Sequence, residues 1–334
     1  MTELPVELLV LPALALAAGV DLYLTLLFIG AAPTTGLWDA PLPGALGDLD
    51  SPFVLITVGA FYIAEFAADR YPLAALVWNA LHAVIRPVSG ALIALLLLDG
   101  QGLGVILVGA IAGGGLASWA HSVRTGAWVL RDFRDPGATE SKAPAALLVS
   151  VAEDVAVLGI VSLALDVPLW SAALAGLLLI VTAPIARSNG RAFAYAVRLG
   201  LDRIFRTLGI RRWRRSDELP EWVASSFRDG DALRGCPAGA WRLPGAPRFA
   251  RGWIMVRGGQ PLFLYKRRNG PRRVDLGDRV ATSVRDRDLY RRIDLGAEDG
   301  AGVLVVGWSG PSTESLEAEF TFGASASEYG ATVR

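Results

Sequence analysis

The chain has 334 residues, of which 53% are hydrophobic and 19% charged, and its formal net charge is zero. This composition, with a mean hydropathy of +0.42, predicts an integral membrane protein. Cys236 is the only cysteine and there are two histidines, which excludes an intrachain disulfide and the usual zinc-binding spacings. We expect no metal site and no cofactor.

The charges divide the chain into an acidic front and a basic back. Residues 1–186 contain six Lys/Arg and fifteen Asp/Glu, which leaves 26 Lys/Arg and 17 Asp/Glu for residues 187–334. The expected domains are a six-span transmembrane domain (1–186), a basic amphipathic juxtamembrane helix or linker (187–217), a cytoplasmic β-rich domain (218–322) and a flexible tail (323–334).

Six apolar stretches are about as long as the roughly 20 residues that a membrane span needs. They lie near residues 6–30, 52–71, 76–98, 103–122, 144–165 and 168–186. The first stretch lacks a positively charged leader, so it predicts an uncleaved span and not a signal peptide. The loops at 31–51, 99–102 and 166–167 contain no Lys or Arg and all basic residues of this part fall on the other side, which predicts a multi-pass protein of the cell membrane with both termini in the cytoplasm.

The two halves of this domain resemble each other. "ALAAGVDLYLTL" and "VGAFYIAEFAADR" in the first half correspond to "AIAGGGLASWAHS" and "LLVSVAEDVAVLG" in the second. Three spans per half would make the repeat inverted, as in many secondary transporters. The alternative is a chance match, which alanine-rich sequence produces easily.

Five carboxylates fall inside the predicted spans. A charged side chain at mid-bilayer costs roughly 2.5–3.5 kcal/mol on insertion scales, so these groups must face the bundle interior, a water cavity or a partner. Glu65 and Asp69 are four residues apart and share one helix face. The five are Asp21, Glu65, Asp69, Glu153 and Asp154.

A polar stripe follows these groups along the chain. Asn79, His82 and Arg86 recur at intervals of three and four on an otherwise apolar helix, and His121 ends the fourth span at a similar depth. One hypothesis is an ion or proton site. The alternative is structural ion pairing, with Asp69 bound to Arg86 or Arg70, and Asp21 as a local cap and not a broken-helix site.

The glycine run at 109–118, GAIAGGGLAS, has two alternative interpretations. Small residues at four-residue spacing favour close helix packing. The other interpretation is a hinge or an unwound substrate site.

The segments AAGVDLYLTLL, EFAADRYPLAALVWNALHAVIRPVSGAL and SVAEDVAVLG together resemble a bacterial membrane-protein family catalogued as a domain of unknown function. The resemblance covers about residues 8–185 and rests on the pattern E-F-x-A-D-[KR]-x-P…H…I-R-P-x-[AS]-G-A-L. It implies the topology and leaves the substrate open.

Residues 187–215 alternate arginines with apolar residues, which predicts an amphipathic helix at the inner leaflet. A plain topology anchor is the alternative, and nucleic-acid binding is not expected because the position after a span explains the charge. The expected lipid contacts are Arg211, Arg212, Trp213, Arg214 and Arg215.

Beyond Glu218 the pattern alternates, which predicts a small antiparallel β-barrel or sandwich. GWIMVRGGQPLFLYKRRNGPRRVDL indicates three strands joined by Gly-Gly and Asn-Gly turns, and VATSVRD, YRRIDLGA, GVLVVGW and SLEAEF indicate further strands. Strand order and Trp253 weakly resemble a pleckstrin-homology-like barrel. Lys266, Arg267 and Arg268 at one turn would contact lipid head groups, unless the hairpin is simply solvated.

Two functions remain open. The first is a small transporter or channel with an intramembrane carboxylate site for a small ion or solute. The second is a membrane-anchored scaffold that binds anionic lipids or a partner through the β domain. An enzyme is less expected, because GxSxG, HExxH and phosphate-loop motifs are missing. The size of the six-span unit is compatible with a homodimer.

Overall fold

The computed structural model describes residues 5–38, 40–134, 143–205, 213–227, 233–276, 280–287, 289–296 and 302–320. The chain divides into two units, Met1–Ala194 and Tyr195–Arg334. The first unit is helical and the second contains an antiparallel sheet. The predicted tail 323–334 lies outside the described residues.

Seven α-helices cover the apolar part of the chain. Three of them begin at a proline, where the missing N–H has no helical partner to lose. The helices are α1 (Val6–Val20), α2 (Leu22–Thr34), α3 (Pro52–Ala68), α4 (Pro72–Leu97), α5 (Leu103–Arg134), α6 (Ala143–Asp166) and α7 (Pro168–Phe205).

Four helices of the described part are long and apolar enough to cross a membrane. They are Leu73–Leu97, Leu103–Arg131, Leu148–Asp166 and Pro168–Ile204. The helices α1, α2 and α3 are apolar but shorter. The apolar helices are compatible with a multi-pass membrane protein, while the predicted count of six spans is not confirmed.

The first predicted span is broken at Asp21. This residue has extended backbone angles, φ −139° and ψ 101°, between α1 and α2. Its side chain accepts a hydrogen bond from the backbone N–H of Leu24 at 2.9 Å and so caps α2. The two alternatives proposed for Asp21 therefore coincide, because the residue is a cap located at a helix break.

The glycine run of α5 is helical throughout, so the unwound-site interpretation is wrong; Gly109, Gly113 and Gly114 are closely packed, whereas Gly115 faces open space. A Cβ on Gly113 would clash with the carbonyl oxygen of Gly90 on α4, and one on Gly19 of α1 would clash with Ala117. The missing side chains let the backbones of α1, α4 and α5 approach one another. Helix α4 continues through Pro87, so the polar stripe belongs to the third predicted span.

The second unit has eight strands in one antiparallel sheet, ordered β5-β4-β3-β2-β8-β7-β6, with β1 also paired to β2. In the described residues the outer strands β5 and β6 do not pair, so the sheet is not closed and a barrel is not confirmed. The strands are β1 (Arg214–Arg215), β2 (Leu233–Arg242), β3 (Ala250–Arg257), β4 (Gln260–Arg267), β5 (Gly270–Asp275), β6 (Val280–Asp286), β7 (Arg291–Gly296) and β8 (Gly302–Val306). A short helix, α8 (Glu221–Ala224), precedes β2.

The predicted Gly-Gly hairpin is confirmed. Gly258 and Gly259 join β3 to β4 with φ values of 56° and 80°. Two consecutive positive φ values define the turn that matches the twist of paired strands, and glycine adopts them without strain.

The strand predicted at SLEAEF is wrong, because residues 313–320 are helical. The Ser312 hydroxyl oxygen accepts a hydrogen bond from the backbone N–H of Ser315 at 3.3 Å, as a helix cap does. Leu316 and Phe320, four residues apart, are both buried in the core of the sheet. Strand β2 was not predicted, since Pro237 and its glycines hide the alternating pattern.

The close approach of α4 and α5 predicts opposite results at two neighbouring glycines. Gly113→Ala should destabilise the chain by about 1–3 kcal/mol, because the added methyl group meets backbone. Gly115→Ala, with nothing within 4 Å of its Cβ, is the matched control and should be neutral or stabilising. Unfolding in detergent and SDS mixtures measures both, and equal losses would contradict the crossing.

The only cysteine gives a test of the sheet core. Cys236 is fully buried, and burial raises the pKa of its thiol. Alkylation by iodoacetamide at pH 8 should therefore be at least about tenfold slower in the native chain than in the unfolded chain. Thr282→Cys in a Cys236→Ala background, at an exposed position, is the control that should react at once. Rapid alkylation of native Cys236 would argue against this core.

Candidate functional site

Arg86 occupies the break in the first predicted span. Its guanidinium is fully buried, and Nη1 donates hydrogen bonds to the carbonyl oxygens of Gly19 at 2.6 Å and Val20 at 2.5 Å. These are terminal carbonyls of α1, which have no partner within the helix. Nη2 donates to Glu65 Oε1 at 2.6 Å. Arg86 thus joins α4 to the helix break and to α3.

Arg124 on α5 lies within ion-pair distance of three carboxylates. Its Nε donates to Glu153 Oε2 at 2.8 Å, while Nη1 lies 3.6 Å from Glu65 Oε1 and Nη2 lies 3.8 Å from Asp69 Oδ2. Helices α3, α4, α5 and α6 are therefore connected by one set of ion pairs. We call this set, Glu65, Asp69, Arg86, Arg124 and Glu153, the charge network.

Acids outnumber bases around the charge network. Tyr62 of α3 donates a hydrogen bond to Asp154 Oδ2 at 2.9 Å on α6, and Asp21 borders the carbonyls that Arg86 binds. Five carboxylates thus surround two guanidinium groups. In surroundings of low dielectric such an excess favours positive species, protons or cations, at the cluster.

The network also contains unused hydrogen-bonding atoms. Glu65 Oε2 and Arg86 Nε are buried and have no hydrogen-bond partner among the described residues. Buried polar atoms are nearly always satisfied in folded proteins. These two atoms can therefore serve a further group.

His82 lies against an aromatic cluster. Its Nδ1 is 2.8 Å from the carbonyl oxygen of Trp78, which can only accept, so Nδ1 carries the proton. Nε2 of the neutral ring then accepts from the Tyr23 hydroxyl at 2.9 Å. The ring also stacks on Trp78 with a centroid distance of 4.8 Å. His82 therefore links α4 to α2.

The two other predicted polar residues contact each other. His121 Nε2 lies 3.0 Å from the backbone carbonyl of Asn79 and donates to it. The side chain of Asn79 donates to the Ala75 carbonyl at 2.8 Å, and Thr125 lies between the two side chains, 3.3 Å from Asn79 Oδ1. This buried group joins α4 to α5.

The structure corrects the ion pairs expected for Asp69. Arg86 pairs with Glu65, which precedes Asp69 by one helical turn. Arg70 is exposed, and its guanidinium stacks on the ring of Phe66 at 4.4 Å. Asp69 instead lies near Arg124, which was not among the residues predicted for the site. Its spacing of three residues from His121 was the signal that could have placed it on the polar face.

Of the residues predicted to contact lipid in the second unit, those that the structure describes lie in different structural elements. Arg211 and Arg212 lie outside the described residues. The helix predicted through residue 215 is wrong at its end, because Arg214 and Arg215 form β1 and pair with β2. Trp213 donates a hydrogen bond to Ser315 at 3.0 Å. Lys266, Arg267 and Arg268 are exposed at the β4–β5 turn.

Comparison with known proteins gives one match. A family model described as "Domain of unknown function (DUF4126)" matches residues 8–188. No curated protein and no solved structure matches the chain.

The buried pair of Glu65 and Arg86 should show strong energetic coupling. Glu65→Gln leaves a buried guanidinium without its counter-charge and should lower the free energy of unfolding by about 3–5 kcal/mol. In the double variant Glu65→Gln/Arg86→Gln, the loss in free energy of unfolding should be smaller than the sum of the losses in the two single variants by at least about 1 kcal/mol. Unfolding in mixtures of detergent and SDS measures the free energies of this double-mutant cycle. Asp99→Asn, an exposed carboxylate, is the control, and additive losses would contradict the pairing.

Proposed function

Because the chain belongs to the DUF4126 family, whose function is unknown, its role must come from its own residues, and we propose a small membrane transporter or channel for protons or small cations. In this proposal the chain crosses the cell membrane six times with both termini in the cytoplasm. The α1–α2 pair counts as one broken span. The charge network, with Asp21 and Asp154, forms the ion site.

The excess of carboxylates over guanidinium groups carries this proposal. Five acids and two arginines from four helices and the α1–α2 break meet within the apolar unit. Intramembrane ionisable groups are costly and in general mark ion pathways or proton relays. A set of purely structural ion pairs would need only as many acids as bases.

The broken helix gives independent support. Discontinuous helices form the binding sites of many secondary transporters, where free helix ends face the substrate. Here Asp21 interrupts the span beside the carbonyls of Gly19 and Val20, and Arg86 binds those carbonyls. A change in the Arg86–Glu65 pair would therefore act directly on the break.

Exposure decreases stepwise through the network. The side chains of Asp69 and Glu153 are 39% and 34% exposed, whereas that of Glu65 is 5% exposed. We propose that ions reach Asp69 and Glu153 first and that Glu65, with its unpaired Oε2, is the inner site.

A second candidate function concerns the sheet. The β4–β5 hairpin exposes Lys266, Arg267 and Arg268 at its tip, and basic groups near a membrane attract anionic lipids. We propose that this unit is pleckstrin-homology-like and contacts head groups. Support comes from the strand order: two meanders, β2–β5 and β6–β8, are joined by the pairing of β2 with β8, and the helical residues 313–320 follow.

Ion flux into proteoliposomes tests the first function. The wild type should acidify vesicles that enclose a pH-sensitive dye when a potential is imposed, and Glu65→Gln and Glu153→Gln should reduce the flux to that of empty vesicles. Asp99→Asn is the control and should keep the wild-type flux.

Folding must be matched before fluxes are compared. Each variant should elute as the wild type does in size-exclusion chromatography. Glu153→Gln is the more informative variant, because Glu153 is partly exposed and its loss leaves Arg124 paired with Glu65 and Asp69. Unchanged flux in folded Glu153→Gln would reject the network as the site, and no proton or cation flux in the wild type would favour the lipid-binding function.

A further inference from the structure

A lateral groove lies between α5 and α7, and no residue of the charge network lines it. It encloses about 740 Å³, within the range of ligand sites. The lining positions on each helix recur at intervals of about three and four residues, so one face of α5 and one face of α7 form the two walls. The lining residues are Gly115, Ser118, Trp119, Ser122, Ala183, Pro184, Ala186, Arg187 and Gly190.

Contacts between the two helices hold the walls of the groove in place. Trp119 Nε1 donates a hydrogen bond to Thr182 Oγ1 at 3.0 Å. Asn189 Nδ2 donates to the carbonyl oxygen of Val123 at 2.8 Å, and a Cβ on Gly126 would clash with the backbone of Asn189. The groove is therefore built into the helix pair, and the small residues of its walls leave the space open.

Three polar side chains of the groove, Arg187, Ser118 and Ser122, make no side-chain ion pair or hydrogen bond with the described residues. No carboxylate lies within ion-pair distance of Arg187 in the described part of the chain. The hydroxyls of Ser118 and Ser122 lie on the facing helix, one turn apart. One guanidinium and two hydroxyls along a groove with an apolar remainder suit a phosphate diester attached to an apolar body.

Arg187 follows an uncharged stretch of α7 that is about as long as the hydrocarbon core of a membrane is thick, which favours a place among the lipid head groups. Residues 168–186 of α7 carry no charge and rise about 28 Å, close to the roughly 30 Å thickness of the hydrocarbon core. Arg187 is the first charge after this stretch. The groove therefore extends from the head-group level into the apolar layer.

We propose that this groove binds one anionic phospholipid. The phosphate would lie at Arg187 and the two serines, and the glycerol and the upper part of the acyl chain would lie along Gly115 and Ala183. This lipid site is separate from the ion site and from the basic hairpin of the sheet. It does not depend on the proposed transport function.

Native mass spectrometry of the full chain in detergent tests the proposal, with phosphatidylglycerol and phosphatidylcholine as probes. The wild type should retain phosphatidylglycerol preferentially. Arg187→Gln should weaken its binding about fivefold, the effect of one basic residue near a membrane surface. Arg191→Gln, an exposed arginine one turn further that does not line the groove, should change binding less than about twofold.

A space-filling variant separates the groove from surface charge. Gly115→Leu keeps Arg187 and places a side chain in open space, so it should lower phosphatidylglycerol binding without unfolding the chain. Gly104→Leu, also open but outside the groove, is the control. Equal losses in Arg187→Gln and Arg191→Gln, or unchanged binding in Gly115→Leu, would overturn the site. Displacement of the lipid by millimolar inorganic phosphate would also overturn it in favour of a free-anion site.

Discussion

The buried guanidinium of Arg86 is the interaction on which the helical unit depends. A helix that stops in apolar surroundings leaves carbonyl oxygens without donors, and each such group costs free energy. Arginine offers several donors in one plane and can bind two carbonyls and a carboxylate at once. Arg86 does this with Gly19, Val20 and Glu65, so the break in the first span, α3 and α4 stabilise one another.

The same arrangement explains why the acids of the unit are not equivalent. Glu65 is held by the arginine that also closes the helix break, whereas Asp69 and Glu153 share Arg124 with it from the more exposed side. Glu65 thus contacts both guanidinium groups. A proton or cation that replaced Arg86 at Glu65 would also alter the capping of α1, so ion binding and helix geometry are physically linked in the proposed site.

Sequence analysis predicted the polar faces but not the partners. The spacing of Asn79, His82 and Arg86 follows from helical periodicity alone, and all three are buried in the structure. Helical periodicity does not predict whether Arg86 pairs with Glu65 or with Asp69. These two acids are four residues apart and share a helix face, so only the tertiary packing distinguishes them.

The same limit applies to the sheet. Strands with strict alternation and glycine turns were predictable, whereas β2 contains Pro237 and two glycines and owes its strand conformation to β3 and β8 on either side. The helix at residues 313–320 was not predicted, because SLEAEF also has a short alternating pattern that indicates a strand. The Ser312 cap, which indicates a helix, is only a local signal.

The contact between Gly90 and Gly113 restricts the ways in which the unit could move. Two backbones in direct contact can pivot about that point, but they cannot slide, because sliding would bring a side chain into space that holds only a hydrogen atom. With Gly19 packed against the same helix, α1, α4 and α5 form a frame. In the proposed transporter, any rearrangement of the site would then fall to α3 and α6, which carry Glu65, Asp69 and Glu153, and not to α4 and α5, which carry the two arginines.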